Sequence, residues 1–248
     1  MVDSSLDPRI VVVGFVVGTL VGLSGVGGGS LVTPLLVLAL GVPPAIAVSA
    51  DLLHSVPTKI LGAIVHHRQG TVEWRLVRLL ALGGVPGALL GIGALALLQH
   101  HGGLVAVNTL MRHALAVLLA IAALAMLLRP FLGRRDERGG EQSDHSLVIW
   151  QDVRVIALGG MVGLLVSVTS IGSGSLTVPL LYFLVGGLSL RRLVGADVAF
   201  AAILVPVAAA GHWQLGHVDV RLAANLVLGS LPGVVLGSRL CARVPDVW

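Results

Sequence analysis

The chain has 248 residues, 56% of them hydrophobic and only 11% charged, with a mean hydropathy of +0.97. A soluble domain carries about 25% charge, so this composition excludes a water-soluble globular protein and points to an all-α, polytopic helical membrane protein. The net charge of +4 and pI near 10.5 do not indicate nucleic acid, because most of the arginines fall in short loops, where the positive-inside rule places them.

Residues 1–9, MVDSSLDPR, lack the basic region of a signal peptide, and no small-residue cleavage pattern follows, so a retained first helix starts at Ile10. Ile10 to about Ser24 is one apolar run, and Leu31 to Leu40 is a second. As one straight helix the two would span roughly 46 Å at ~1.5 Å per residue, more than the ~30 Å hydrocarbon core. The segment is therefore either a broken span or a helical hairpin. Gly41-Val42-Pro43-Pro44 makes a turn, and Ala45 to Val65 is the next predicted helix, holding Asp51, His54 and Lys59. A polar loop, His66 to Arg75, precedes a helix from Arg78 to Leu98. Met111 to Leu128 is an almost wholly apolar helix that reads as scaffold. Residues 129–154 are hydrophilic and read as a linker. Val155 to Ser170 and Leu176 to Val185 are the next apolar runs, Val194 to Gly211 a helix with Asp197, and a last helix ends at Gly237.

A glycine-rich stretch occurs twice, as GFVVGTLVGLSGVGGGSLVTPLL from Gly14 and GGMVGLLVSVTSIGSGSLTVPLL from Gly159. At an offset of 145 residues Gly27, Gly29, Ser30 and Pro34 meet Gly172, Gly174, Ser175 and Pro179. Further on, at an offset of 146, Asp51 meets Asp197, His66 meets His212, and Gly83, Pro86 and Gly87 meet Gly229, Pro232 and Gly233. The chain thus divides into a first transmembrane repeat (1–128), the linker (129–154) and a second repeat (155–248). The second repeat is incomplete, since the counterpart of Met111–Leu128 would fall past residue 248.

Arginine placement separates the two readings of the glycine segments. If each is a broken span, one face collects ten arginines and the other five; if each is a hairpin, the division is twelve against three. The hairpin fits the positive-inside rule better and makes the two repeats inverted, each with an odd number of passages. Arg191 and Arg192 then join Arg68, Arg75 and Arg78 on the charge-rich face.

Glycines at the breaks free backbone groups that survive in a membrane only where protein or a wet cavity satisfies them. Paired breaks in two halves mark a transporter's substrate site. Candidate substrate-binding residues are Gly27, Gly28, Gly29, Ser30, Thr33 and Pro34, with Gly172, Ser173, Gly174, Ser175 and Pro179. Exposed N–H groups at helix starts suit an oxyanion. The bland alternative is close helix packing, which fits Gly14, Gly18 and Gly22.

An acid inside an apolar helix is a functional signal. Asp51, His54, Ser55, Thr58 and Lys59 share one sector of about 140° on a helix, and a direct Asp51–Lys59 pairing would have to bridge two turns. Asp51, His54, Lys59, Asp197, His66 and His212 are the candidates for coupling or gating. His66 and His212 also read as surface or capping histidines, and Trp74 and Trp213 as interfacial anchors. No catalytic residue, cofactor or metal is expected, since Cys241 stands alone. The one enzymatic alternative is a rhomboid-like intramembrane protease, from Gly22-Leu23-Ser24-Gly25 with His212 as base.

The motifs GVGGGSLVTPLL and GSGSLTVPLL, with SADLLHSVPTKILGAIVHHRQGTVEW and GADVAFAAILVPVAAAGHWQLGHVD, resemble the sulfite exporter TauE/SafE family of membrane permeases. The resemblance implies a multi-pass permease in a bacterial plasma membrane, with the lipid bilayer and a small anion, such as sulfite or an organosulfonate, as partners. Export and proton coupling are the expected mode. A permease for another small anion or metabolite is the alternative. The second motif departs from the family in reading GSGS, and the absent last helix leaves a homo-oligomer open.

Overall fold

A computed structural model of the protein describes residues 7–24, 29–128, 145–185 and 188–241. Regular structure among these residues is helical: α1 (Pro8–Ser24), α2 (Gly29–Ala39), α3 (Pro44–Arg68), α4 (Trp74–Leu128), α5 (His145–Thr169), α6 (Thr177–Leu184), α7 (Leu190–Gln214) and α8 (Val220–Cys241). The predicted apolar runs fall inside these helices to within one residue at their ends, with Leu40, Ser170, Leu176 and Val185 just outside. α5 begins well before Val155, because Asp152 and Arg154 stand in its early turns rather than in a loop. Five helical stretches are long and apolar enough to cross a membrane: 44–68, 74–121, 152–169, 190–214 and 220–237. The 74–121 stretch is bent at Gly103, whose backbone (φ 66°, ψ −173°) is not helical. Beyond the bend the chain turns back, so that Asn108 Oδ1 accepts a hydrogen bond from the Ala45 N–H at 3.0 Å.

Packing follows the duplication. α1 lies along α8, with Gly14 against Leu226 and Gly229, Gly18 against Ser230, and Gly233 against Phe15 and Thr19. α4 lies along α5 in the same manner, with Gly83 against Ile156, Gly87 against Gly160, and Gly91 against Leu164 and Ser167. In both pairs the residue numbers rise together, so the helices of each pair run in the same direction. A Cβ at Gly18 or Gly87 would strike backbone atoms of the neighbouring helix; small residues let the backbones approach this closely. Gly14 and Gly18 are thus packing residues.

At the centre α3 crosses α7. Ser49 donates to the His217 carbonyl at 2.6 Å, Gly62 meets Val198, and Thr71 meets Gly195. Here the numbers run oppositely, so α3 and α7 are antiparallel. At the 146-residue offset Ser49 and His217 are the counterparts of Gly195 and Thr71, so the first and last of these contacts are one contact made twice. The loops that close α3 and α7 also match. Gly70 and Gly216 take φ of 66° and 73°. The Thr71 N–H bonds the His66 carbonyl at 3.1 Å as the His217 N–H bonds that of His212 at 3.2 Å.

Phe200, Leu204, Leu80, Leu52 and Leu193 form the fully buried core between α3, α4 and α7. Leu61, Leu82, Leu89, Leu90 and Leu97 are exposed, as lipid-facing side chains are. Trp74 and Trp213 are also exposed, at the start of α4 and near the end of α7.

Candidate functional site

The second glycine break, between α5 and α6, is a tight loop built on glycine geometry. Gly172 and Gly174 adopt φ of 144° and 87°, and Ser170 is held at 59°. The Gly172 carbonyl accepts the Leu176 and Thr177 N–H groups at 3.2 and 3.1 Å and the Thr177 hydroxyl at 2.9 Å. This knot ends α5, starts α6 with Pro179 in its first turn, and leaves Ser173, Gly174 and Ser175 at its tip. Of the first break, Gly27 and Gly28 lie outside the described residues. Gly29 and Ser30 open α2, and Pro34 stands inside it.

Each half buries an acid. Asp51, fully buried in the second turn of α3, accepts the Thr33 hydroxyl of α2 at 2.7 Å and the Ser55 hydroxyl at 3.4 Å. The Ser170 hydroxyl at the second break also acts on this carboxylate. Asp197, 1% exposed in α7, is approached by the Gly174 N–H and the Thr177 hydroxyl of its own break. The charge that reaches it comes from Lys59 on α3. Each carboxylate thus has one neighbour from the other half of the chain, Ser170 for Asp51 and Lys59 for Asp197. Lys59 acts electrostatically on the acid of the other half, and no Asp51–Lys59 ion pair forms among the described residues. Thr33 and Thr177 stand one register step apart, in the sequences Val32-Thr33-Pro34 and Thr177-Val178-Pro179, but Thr33 donates to Asp51 whereas Thr177 donates to the Gly172 carbonyl.

The polar stripe on α3 divides. Asp51, His54 and Ser55 are buried, whereas Thr58 is exposed and Lys59 is half-buried. His54 Nε2 lies 2.7 Å from the Ser230 hydroxyl of α8. His212 is not a surface residue but fully buried. Its Nε2 donates to the Ser167 carbonyl at 2.7 Å, and its Nδ1 lies 3.4 Å from Nδ1 of His217. His217 Nε2 meets Gln99 Oε1 at 2.9 Å, and burial holds this loop imidazole below its ordinary range. His66, the counterpart, is half-buried and hydrogen-bonded through Nδ1 to Thr71 at 2.9 Å. The histidines therefore brace the loop ends and do not join the carboxylates, His54 excepted. With Nε2 spent on a backbone carbonyl, His212 is poorly placed as the base of a protease.

Four buried side-chain atoms have no hydrogen-bond partner among the described residues: His54 Nδ1, Ser173 Oγ, Ser175 Oγ and Asp197 Oδ1. An unsatisfied buried polar group costs about 1–3 kcal/mol, and native proteins keep few of them. All four belong to residues that the sequence singles out as candidate substrate-binding or coupling residues. Sequence reasoning missed Ser230, Ser170 and Thr177. The signal for Ser230 was a hydroxyl at the counterpart of Gly84, in a row otherwise made of glycines. Among the described residues no three His, Cys, Asp or Glu side chains gather as a metal site.

Comparison with known proteins agrees with this architecture. The profile of the family described as Sulfite exporter TauE/SafE matches residues 10–248. The chain is 40% identical over 244 residues to the probable membrane transporter protein YjnA of Bacillus subtilis (strain 168), covering 96% of this chain and 91% of that one. It is 28% identical over 231 residues to a probable membrane transporter protein of Xylella fastidiosa (strain 9a5c), covering 93% and 83%. No solved structure matches the chain. With its paired glycine breaks, multiple spans and a match running almost end to end, the chain belongs to the sulfite exporter TauE/SafE family, and is a multi-pass transporter of the bacterial plasma membrane rather than an enzyme.

Proposed function

We propose that this protein is a secondary transporter that exports a small sulfur-containing anion, such as sulfite or an organosulfonate, in exchange for protons. The carrying observation is the set of four unpartnered buried atoms at His54, Ser173, Ser175 and Asp197. An oxyanion can accept from the two hydroxyls. Beside it, a carboxylate that takes up a proton stops repelling the anion, which makes proton uptake and anion binding one event. Asp51 is assigned the coupling role, because it carries the fuller set of hydrogen-bond donors. Asp197 is assigned a lesser one.

The substrate site is assigned to residues Gly27 to Ser30, Thr33 and Pro34 of the first half and Gly172 to Ser175 and Pro179 of the second. The two repeats, 1–128 and 155–248, are taken as inverted, each opening with a helical hairpin. Three facts support that reading. The counterpart helices α3 and α7 are antiparallel. α1 is parallel to α8, and α3 meets the chain around α8 in rising order, Ser49 at His217 and His54 at Ser230, which is consistent with α2, leading into α3, running back against α1. The ion pairs Arg75–Asp152 at 2.9 Å and Arg192–Glu73 at 3.6 Å gather the starts of α4, α5 and α7 on one face. That is the twelve-against-three grouping of arginines, whereas the broken-span alternative separates Arg192 from Arg75. Alternating access by rocking one repeat against the other is the usual consequence of this plan.

Purified protein in liposomes, tested for flux of sulfite against sulfate, thiosulfate and acetate, tests the proposal. Sulfite flux driven by a proton gradient is expected. Flux of none of the four would remove it.

A further inference from the structure

His54 is 6% exposed and its two ring nitrogens differ. Nε2 lies 2.7 Å from Ser230 Oγ, and the Ser230 hydroxyl is directed at the Val227 carbonyl at 3.3 Å. When the Ser230 proton is given to the Val227 carbonyl, as helical hydroxyls bond back to the preceding turn, its oxygen accepts from His54 Nε2–H. In that arrangement the neutral ring carries its lone pair on Nδ1, which is buried with no hydrogen-bond partner among the described residues. Asp51, one turn earlier on α3, is the charged group that acts on the ring, and Ser230 is the polar group facing it from α8.

The architecture does not require this polar pair. At the 146-residue offset His54 and Ser230 are the counterparts of Phe200 and Gly84, which also touch one another. Phe200 is fully buried there. The fold thus fills the same contact with a phenyl ring against a glycine in one half, and with an imidazole fixed by a hydroxyl in the other.

Resting on the transporter reading above, we infer that His54, oriented by Ser230, is a specificity-determining residue that reads a proton on the substrate. Its bare Nδ1 accepts a hydrogen bond from an oxyanion that carries one dissociable O–H near neutrality; among sulfur anions that is hydrogen sulfite. One proton is shared between the two partners. It sits on the oxyanion facing a neutral imidazole, or on Nδ1 facing the doubly charged anion, and the total charge of the pair is the same. A sulfonate or sulfate carries no such proton at neutral pH and brings an acceptor to an acceptor. Sites built to bind a substrate O–H reject analogues that lack it strongly.

The test is flux at pH 7.5 into proteoliposomes, comparing sulfite with methanesulfonate. The wild type should prefer sulfite by at least about tenfold. The double variant His54→Phe with Ser230→Gly copies the other half's packing and should lose the preference. Ser230→Ala, which frees the tautomer, should lower the ratio too. It decides alone if the double variant does not fold, as judged by gel filtration and melting. An unchanged preference in either folded variant overturns the inference, and Nδ1 then meets only water. Equal carriage of both anions by the wild type overturns it while leaving the transporter reading intact. Carriage of neither overturns both.

Discussion

Replacing Asp51 by Asn separates the proton from the fold. The carboxylate is fully buried, with Thr33 donating to one oxygen at 2.7 Å and Ser55 to the other at 3.4 Å. Asn is nearly isosteric. Its carbonyl can keep the Thr33 bond, and its NH2 can turn to Ser55, whose hydroxyl also accepts. What is lost is charge assistance to one short bond. A hydrogen bond to a charged group is worth about 1.5–3 kcal/mol net and a neutral one about 0.5–1.5, so the expected destabilisation is about 1 kcal/mol. The Asn side chain carries no titratable proton, however. Asp51→Asn protein should melt in detergent within a few degrees of wild type and insert normally, yet lose proton-driven anion flux. Counterflow exchange, which needs no net proton movement, should survive better. Asp197→Asn should be milder. Wild-type proton-driven flux in a folded Asp51→Asn protein would show that Asp51 is only a structural polar group.

Other expectations follow from particular contacts. Gly87→Val places methyl groups into the Gly160 backbone and should destabilise by about 1–3 kcal/mol, as overpacking does. Gly93→Ala, in the same helix with nothing within 4 Å, should be neutral or stabilising by up to about 1 kcal/mol; melting of the two variants compares them. Because burial holds the His217 imidazole below its ordinary 6.5, the unfolded chain takes up this proton first as pH falls. Stability contributed by the neutral ring is therefore complete above pH 6.5 and declines below it. His217→Gln should flatten that part of the stability–pH curve measured by melting. Cysteines placed at 140 and at 3 in a Cys241→Ser background should label from opposite faces of the membrane, with 140 cytoplasmic; labelling from one face would exclude inverted hairpins.

The helices, the duplication and both acids were legible in the sequence, because each rests on local pattern: apolar runs, glycine spacing and a charge where hydrophobicity forbids one. The second break was legible for the same reason, since Gly172 and Gly174 hold backbone angles that few other residues adopt. What the sequence did not reveal depends on which helices touch. Ser230 is 176 positions from His54, and nothing in α8 alone marks it as a partner. Lys59 was weighed against the acid on its own helix, but the antiparallel crossing of α3 and α7 presents it to Asp197. His212 read as a border residue because five positions of loop follow it. That loop folds back, with the His217 N–H on the His212 carbonyl, and buries both rings against α4 and α5.

The hydroxyls of the second break are central to the proposed substrate site. Ser173 Oγ and Ser175 Oγ are buried with no partner among the described residues, so deleting them removes an unmet desolvation cost rather than a bond. The double variant Ser173→Ala with Ser175→Ala should therefore melt no lower than wild type, and higher by up to a few degrees if each relieves about 1 kcal/mol. In proteoliposomes with an imposed proton gradient it should carry sulfite at least about tenfold more slowly, the loss expected when two hydrogen bonds to an anion are withdrawn. A rise in stability with a fall in flux is the predicted result. Wild-type sulfite flux in the folded double variant would contradict the assignment of this break as the substrate site.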